Sequence, residues 1–266
     1  MSLIAANSAA PSLGIDCDYH CSRTGRPARF SVGWCGGQGN TTMRVPDEFL
    51  QSVGFVSAKD GRDVFRTRGT GFFVSVASVK YPNEIEFHYF VTARHNIERA
   101  SRIGPIHLRL NTKSGQLAYV EIKRQWTFPE SPAVDLAVLS WGKQEIDYDF
   151  RSIPEKFFVH RKTVDNLKIG IGDDLCIVGL FSQKYGVNKN LPIVRSGIIA
   201  AMPVEPFQDD SGELYHAYLA EVRSIGGLSG SPVIVVVDPI RPGARRGEPP
   251  WSLSWFSLNW RSDVLR

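Results

Sequence analysis

An all-β protein folded as two small barrels is predicted from the sequence on three grounds. Its apolar runs are short, bounded by turn residues and regularly spaced, as in a barrel or sandwich rather than a helical bundle. The runs are rich in Val, Ile, Phe and Tyr, which suit a pleated surface. No long amphipathic helical period appears anywhere in the 266 residues.

Residues 1–42 carry Gly, Ser, Ala, Cys and Arg without an apolar period. They are expected to form a poorly ordered extension, with Met43 as an alternative native start. Cys17, His20, Cys21 and Cys35 in this segment are zinc-type ligands by chemistry. Their irregular spacing closes no four-ligand set, so no metal site is assigned.

The first barrel is expected over residues 43–142. Its strand-like runs are 53–57, 69–77 and 84–92, the last with Ile85, Phe87, Tyr89 and Val91 on one face. Runs at 106–110, 118–126 and 136–141 follow. Asp60-Gly61, Tyr81-Pro82-Asn83 and Lys113-Ser114-Gly115 mark turns between runs. Residues 93–100 leave room for one or two helical turns. A hydrophilic connection over 143–165, with Pro154 inside it, crosses to the second barrel, 166–266. There the runs are 174–181, 193–202, 214–222 and 231–237. A Pro-, Arg- and Gly-rich loop, 238–250, leads to a last apolar run over 251–260.

Composition narrows the function classes. Hydrophobic residues are 42% and charged residues 22%, ample for a soluble, cored domain. The net charge of +4 is scattered apart from a small cluster at 241–246, which argues against nucleic acid as a partner. No apolar run reaches the ~18 residues of a membrane span, so no membrane partner is expected. The N-terminus has neither the basic region nor the apolar stretch of a secretory signal. Of the four cysteines, three precede the first strand and only Cys176 falls later, so they do not staple the core. Sparse cysteine and no signal together point to a reducing, cytoplasmic setting.

The chemistry concentrates in Gly226-Gly227-Leu228-Ser229-Gly230-Ser231-Pro232, a turn between two strand-like runs. Glycines on both sides let the backbone take conformations that a side chain forbids. They also let main-chain N–H groups converge on one oxyanion. A serine hydroxyl there needs a base, and the base needs a buried carboxylate to fix its tautomer. His95 ends the strand-like run Val91-Thr92, and Asp135 heads Leu136-Ala137-Val138-Leu139. An Asp in front of such a run is poor strand material unless something pairs with it.

Taken in order, Thr92-Ala93-Arg94-His95, Asp135-Leu136-Ala137-Val138-Leu139 and Gly227-Leu228-Ser229-Gly230-Ser231-Pro232 resemble the three active-site motifs of the chymotrypsin-like (trypsin-like) serine peptidases. Gly69-Thr70-Gly71-Phe72 is similar to a strand of the same family, notably in bacterial members. The likeness spans roughly residues 45–237. It implies a double β-barrel with the site in the cleft between barrels, no cofactor, and a protein or peptide substrate. It also implies Ser229 as nucleophile, His95 as base then acid, Asp135 as orienter, and the N–H groups of Gly227 and Ser229 as the oxyanion hole. Ser231, the rival nucleophile, stands where the family has a small packing residue.

Arg223, six residues before Ser229, occupies a position that often forms the family's pocket base. Buried there, it would pair with an acidic substrate side chain. A different length of the preceding loop would turn it to solvent, the reading we favour. One departure from the family lies after the nucleophile. Only 37 residues follow Ser229, enough for a returning strand at 251–260 but little else to complete the barrel. A peptidase-fold binding or regulatory module without turnover is therefore the alternative to an active endopeptidase.

Overall fold

Two strands in the second half of the chain, Asp174–Gly179 and Val233–Val236, alternate their side chains between two different cores, and that alternation explains why both are apolar on both faces. The computed structural model describes residues 2–7, 45–132, 134–142, 147–208, 212, 214–215, 217–222, 226–237, 251–254 and 257–259. In chain order the strands are β1 (Ser2–Asn7), β2 (Val53–Lys59), β3 (Phe65–Ala77), β4 (Glu86–Thr92), β5 (Ile106–Asn111), β6 (Leu117–Glu121), β7 (Ala137–Trp141), β8 (Ile153–Pro154), β9 (Asp174–Gly179), β10 (Ile193–Ala201), β11 (Phe207–Gln208), β12 (Leu214–Tyr215), β13 (Ala217–Val222), β14 (Val233–Val236), β15 (Trp251–Ser254) and β16 (Ser257–Asn259). The helices are α1 (Asp47–Gln51), α2 (Arg94–Ser101) and α3 (Arg161–Leu167).

The chain is mostly antiparallel β-sheet. One seven-stranded sheet follows the order β6-β5-β2-β3-β4-β7, with β8 beside β3. A second runs β15-β14-β9-β10-β13-β1-β16. Among the described residues both sheets are open paths of pairings. The β3–β8 contact is parallel.

Period-2 alternation divides the apolar residues among three cores. On β9, Leu175 and Ile177 face the second sheet's own core, while Cys176 and Val178 face the first sheet. On β14, Val233 and Val235 point one way and Ile234 the other. In the first sheet, Phe55, Phe72, Val74, Val91 and Val138 meet the second sheet, whereas Val56, Phe73, Phe90 and Leu139 fill a core of their own. Phe55, Ile153, Val178, Leu180 and Ile234 are fully buried in the layer between sheets. Each such side chain contributes about 1.5–3 kcal/mol. This layer joins residues of both sheets in one core.

Most predicted runs are strands, with differences at the joins. The 118–126 run ends as a strand at Glu121, before Lys123 and Arg124. The last run divides: β15 pairs with β14, and β16 pairs with β1. Ser2–Asn7, read from sequence as part of an extension, pair in antiparallel register with β13. The rest of that segment, 8–44, with Cys17, His20, Cys21 and Cys35, lies outside the described residues. The 143–165 connection also carries structure: Ile153 is buried at 0% exposure beside β3. The helix α3 ends with Lys168 in the left-handed region (φ 52°), and the Ile169 N–H donates to Val164 O. Its Val164 and Leu167 pack on the second core. Among the described residues, no helix is long and apolar enough to cross a membrane.

Candidate active site

Strand register brings His95 and Asp135 together. β4 and β7 are antiparallel neighbours with Thr92 opposite Ala137. The chain continues three residues beyond Thr92 to His95, and Asp135 lies two before Ala137, so both emerge from the same end of the pair. Ala93 is extended (ψ 139°) and starts α2, with no side-chain cap of its own and no acidic residue in the first turn. The first N–H groups of a helix have no partner within it. Asp135 supplies one: the His95 N–H donates to Oδ1 at 2.9 Å. The other carboxylate oxygen, Oδ2, lies 2.5 Å from His95 Nδ1. Asp135 is 8% exposed.

The two bonds divide the labour. The main-chain bond fixes the carboxylate, and the ring bond fixes the imidazole. A carboxylate accepts, so Nδ1 carries a proton, and in the neutral ring this leaves the lone pair on Nε2. His95 Nε2 is buried and has no hydrogen-bond partner.

The serine turn is held by its main chain. Gly227 (φ +105°) and Gly230 (φ +81°) sit where side chains are strained. A Cβ on Gly230 would also overlap Thr70 O, Thr92 Oγ1 and Ala93 N, so this glycine lets the turn rest directly on the strand end that leads to His95. The Ser229 carbonyl accepts from the Thr70 N–H (3.0 Å) and from Asn96 Nδ2 (2.8 Å). Asn96 Nδ2 also donates to Thr92 Oγ1 (3.1 Å), which in turn donates to Thr70 O (2.6 Å). Thr70 Oγ1 donates to Gly227 O and accepts from the Leu180 N–H, each at 2.8 Å. Thr70, Thr92 and Asn96 are all buried, so the network is shielded from competing water.

Among the described residues, no hydrogen bond is made by the N–H groups of Gly227 and Ser229. No family model matches the chain, and no curated protein matches it either.

The site's geometry joins His95 to Asp135 and tethers Ser229 to the start of α2 through Asn96. It does not close a hydrogen bond between Ser229 Oγ and His95 Nε2. Ser229 is half-buried, in contrast to Ser231, which is 2% exposed. Ser231 Oγ has no hydrogen-bond partner and lies where a Cβ on Gly179 would fall, a packing position. Arg223 and His216 lie outside the described residues. His88 bonds Ser152 Oγ through Nδ1 (2.7 Å), and burial holds its pKa below the usual histidine range. His107 Nδ1 lies 2.9 Å from Pro105 O. Among the described residues, no group of three His, Cys, Asp or Glu could hold a metal ion.

Thr70 and Asn96 had no assigned role from sequence. Thr70 lies in the Gly-Thr-Gly-Phe strand, but nothing in that string says that its hydroxyl bridges two other segments. Asn96 directly follows His95. The one available signal was an amide side chain next to a helix start, which sequence alone reads as a solvated polar residue.

Proposed function

We propose that the protein is a serine endopeptidase, with each sheet curling into one barrel of a chymotrypsin-like double barrel and the site in the cleft between them. The observation that carries this reading is the double engagement of His95 by Asp135, through main chain and ring, beside a strained glycine turn that holds Ser229. In the proposed reaction, Ser229 Oγ attacks the carbonyl carbon of a peptide bond and its proton passes to His95 Nε2. The carbonyl π electrons move onto oxygen, where the N–H groups of Gly227 and Ser229 receive the charge. One such donor is worth about 10²–10³ in rate. The C–N bond then breaks, the amine leaves with the proton from His95, and an acyl ester remains on Ser229. Water attacks the ester, giving its proton to His95, and the acid product departs as Ser229 regains its hydrogen. Asp135 stabilises the imidazolium at each stage without itself taking the proton. No cofactor is required.

The substrate in this reading is a protein or peptide, and the free, buried Cys176 fits a cytoplasmic setting. A second reading, a peptidase-fold binding module without turnover, is favoured by one observation: the Ser229–His95 hydrogen bond is open. Such bonds often tighten only once substrate is bound. Incubation with an unfolded protein substrate separates the two. Cleavage that disappears in both Ser229→Ala and His95→Ala supports the endopeptidase; the absence of cleavage by the wild type supports the module.

A further inference from the structure

Arg109 lies in the middle of β5 and is 1% exposed. Arginine is charged in any protein environment, and a buried charge without partners is costly. Among the described residues, no carboxylate pairs with it. Its partners are neutral oxygens: the main-chain carbonyls of Tyr185 (3.3 Å), Gly186 (2.6 Å) and Val187 (3.2 Å), the Oδ1 of Asn190, and the hydroxyl of Tyr119 (3.1 Å). The guanidinium carbon also lies 4.9 Å from the centroid of the Tyr185 ring. Asn190 completes the clamp, donating from Nδ2 to Arg109 O (2.6 Å) and from its N–H to Asn111 Oδ1 (2.7 Å).

All these partners except Tyr119 and Asn111 belong to the loop 180–192, which joins β9 to β10 in the other sheet. Three consecutive carbonyls turned inward on one cation give this loop an anchor that an apolar contact could not supply. Its far end is thus bolted to β5. Its near end grips the serine turn: the Ser182 N–H donates to Gly226 O (3.1 Å), and the Leu180 N–H meets the Thr70 hydroxyl that holds Gly227 O. Leu180 also fills the space where a Cβ on Gly227 would lie.

We infer that Arg109 is a positioning residue for the turn that carries Ser229, acting across the sheets through the loop 180–192. Its assignment to catalysis rests on the reading of Ser229 as nucleophile; its mechanical part does not. The five donors of the guanidinium lie in a planar fork on three nitrogens and reach Tyr119, Tyr185, Gly186, Val187 and Asn190 together, a spread that the three donors on the single nitrogen of an ammonium do not span. Arg109→Lys is therefore expected to behave like Arg109→Ala, whereas free guanidinium ion, far below denaturing concentration, should refill the site.

The test compares wild type, Arg109→Ala and Arg109→Lys by hydrogen exchange of residues 182–191 and 226–230, and by the rate at which a fluorophosphonate labels Ser229. Faster exchange in both segments is expected, with labelling slowed roughly 100-fold. Guanidinium chloride should reverse both changes in Arg109→Ala, and sodium chloride at the same ionic strength should reverse neither. Faster exchange confined to 182–191, or reversal by sodium chloride, overturns the inference. Unlabelled wild type would refute the peptidase reading alone, and the exchange of 226–230 would still decide the role of Arg109. If Arg109→Ala does not fold, Asn190→Ala replaces it. That change removes one acceptor and the Nδ2 bond while leaving the guanidinium in place, and it should loosen both segments to a smaller degree.

Discussion

Asp135→Asn is the perturbation for which the structure gives the sharpest expectation. Both carboxylate oxygens accept from His95, one from the main-chain N–H at 2.9 Å and one at Nδ1, 2.5 Å away. An amide of the same shape has a single oxygen. The main-chain N–H can only donate, so the oxygen stays there and the NH₂ faces the ring. Nδ1 must then accept, which moves the ring proton to Nε2. The open acceptor aimed at the site becomes a donor, and the base is lost while the fold is kept. A misplaced tautomer of this kind costs roughly 10⁴-fold in turnover, or about 5.5 kcal/mol at 1.36 kcal/mol per decade. Folding stability should fall by only about 1–2 kcal/mol, because a neutral hydrogen bond replaces a charge-assisted one. The assay is the second-order rate of fluorophosphonate labelling, paired with ¹⁵N spectra of the His95 ring to read the tautomer. A labelling rate within a few-fold of wild type, or an unchanged tautomer, would show that Asp135 does not set the His95 tautomer.

Gly230→Ala should lower stability by roughly 2–5 kcal/mol, combining left-handed backbone strain with overpacking on Thr70, Thr92 and Ala93. Gly61→Ala, with no atom within 4 Å of the added Cβ, is the control in the same urea titration. Asn96→Ala leaves Ser229 O with the Thr70 N–H as its remaining partner. It should cost about 1–3 kcal/mol and slow Ser229 labelling; unchanged labelling would show that the amide does not position the turn. Burial lowers the pKa of His88 below 6.5, so the native state resists a proton that the unfolded chain accepts. Its contribution to stability is therefore complete above pH 6.5 and is lost as pH falls toward the folded-state value. Denaturation of His88→Gln across this range should show a shallower acid slope than wild type, and an equal slope would contradict the assignment.

How much of this was legible in the sequence depended on whether the signal was local. Most strands of both sheets are legible as short apolar runs, β1 and β8 being the exceptions, and the β4–β7 register brings His95 and Asp135 together. Residues 93–100 leave room for one or two helical turns, and α2 occupies them. What stayed hidden depended on contacts distant in sequence. Arg109 alternates with Leu108 and Leu110, so the pattern puts it on a solvated face; a loop more than seventy residues later covers that face. Ile153 looked like part of a polar connection because one apolar residue beside a proline carries no period. It is buried only because β3 has a free segment next to it. Thr70 and Asn96 could be read as strand and helix residues, but their hydrogen bonds to the serine turn follow from how the sheets meet. The open Nε2 of His95 is likewise a matter of geometry that no motif encodes.

On the proposed reading, His95 activates the Ser229 hydroxyl and no other in this turn. Intact-mass measurement of the folded protein after fluorophosphonate treatment tests it most directly. One adduct is expected, mapped to Ser229, which forms in Ser231→Ala and is lost in Ser229→Ala and His95→Ala. An adduct at Ser231, or one at Ser229 that forms equally well without His95, would contradict it.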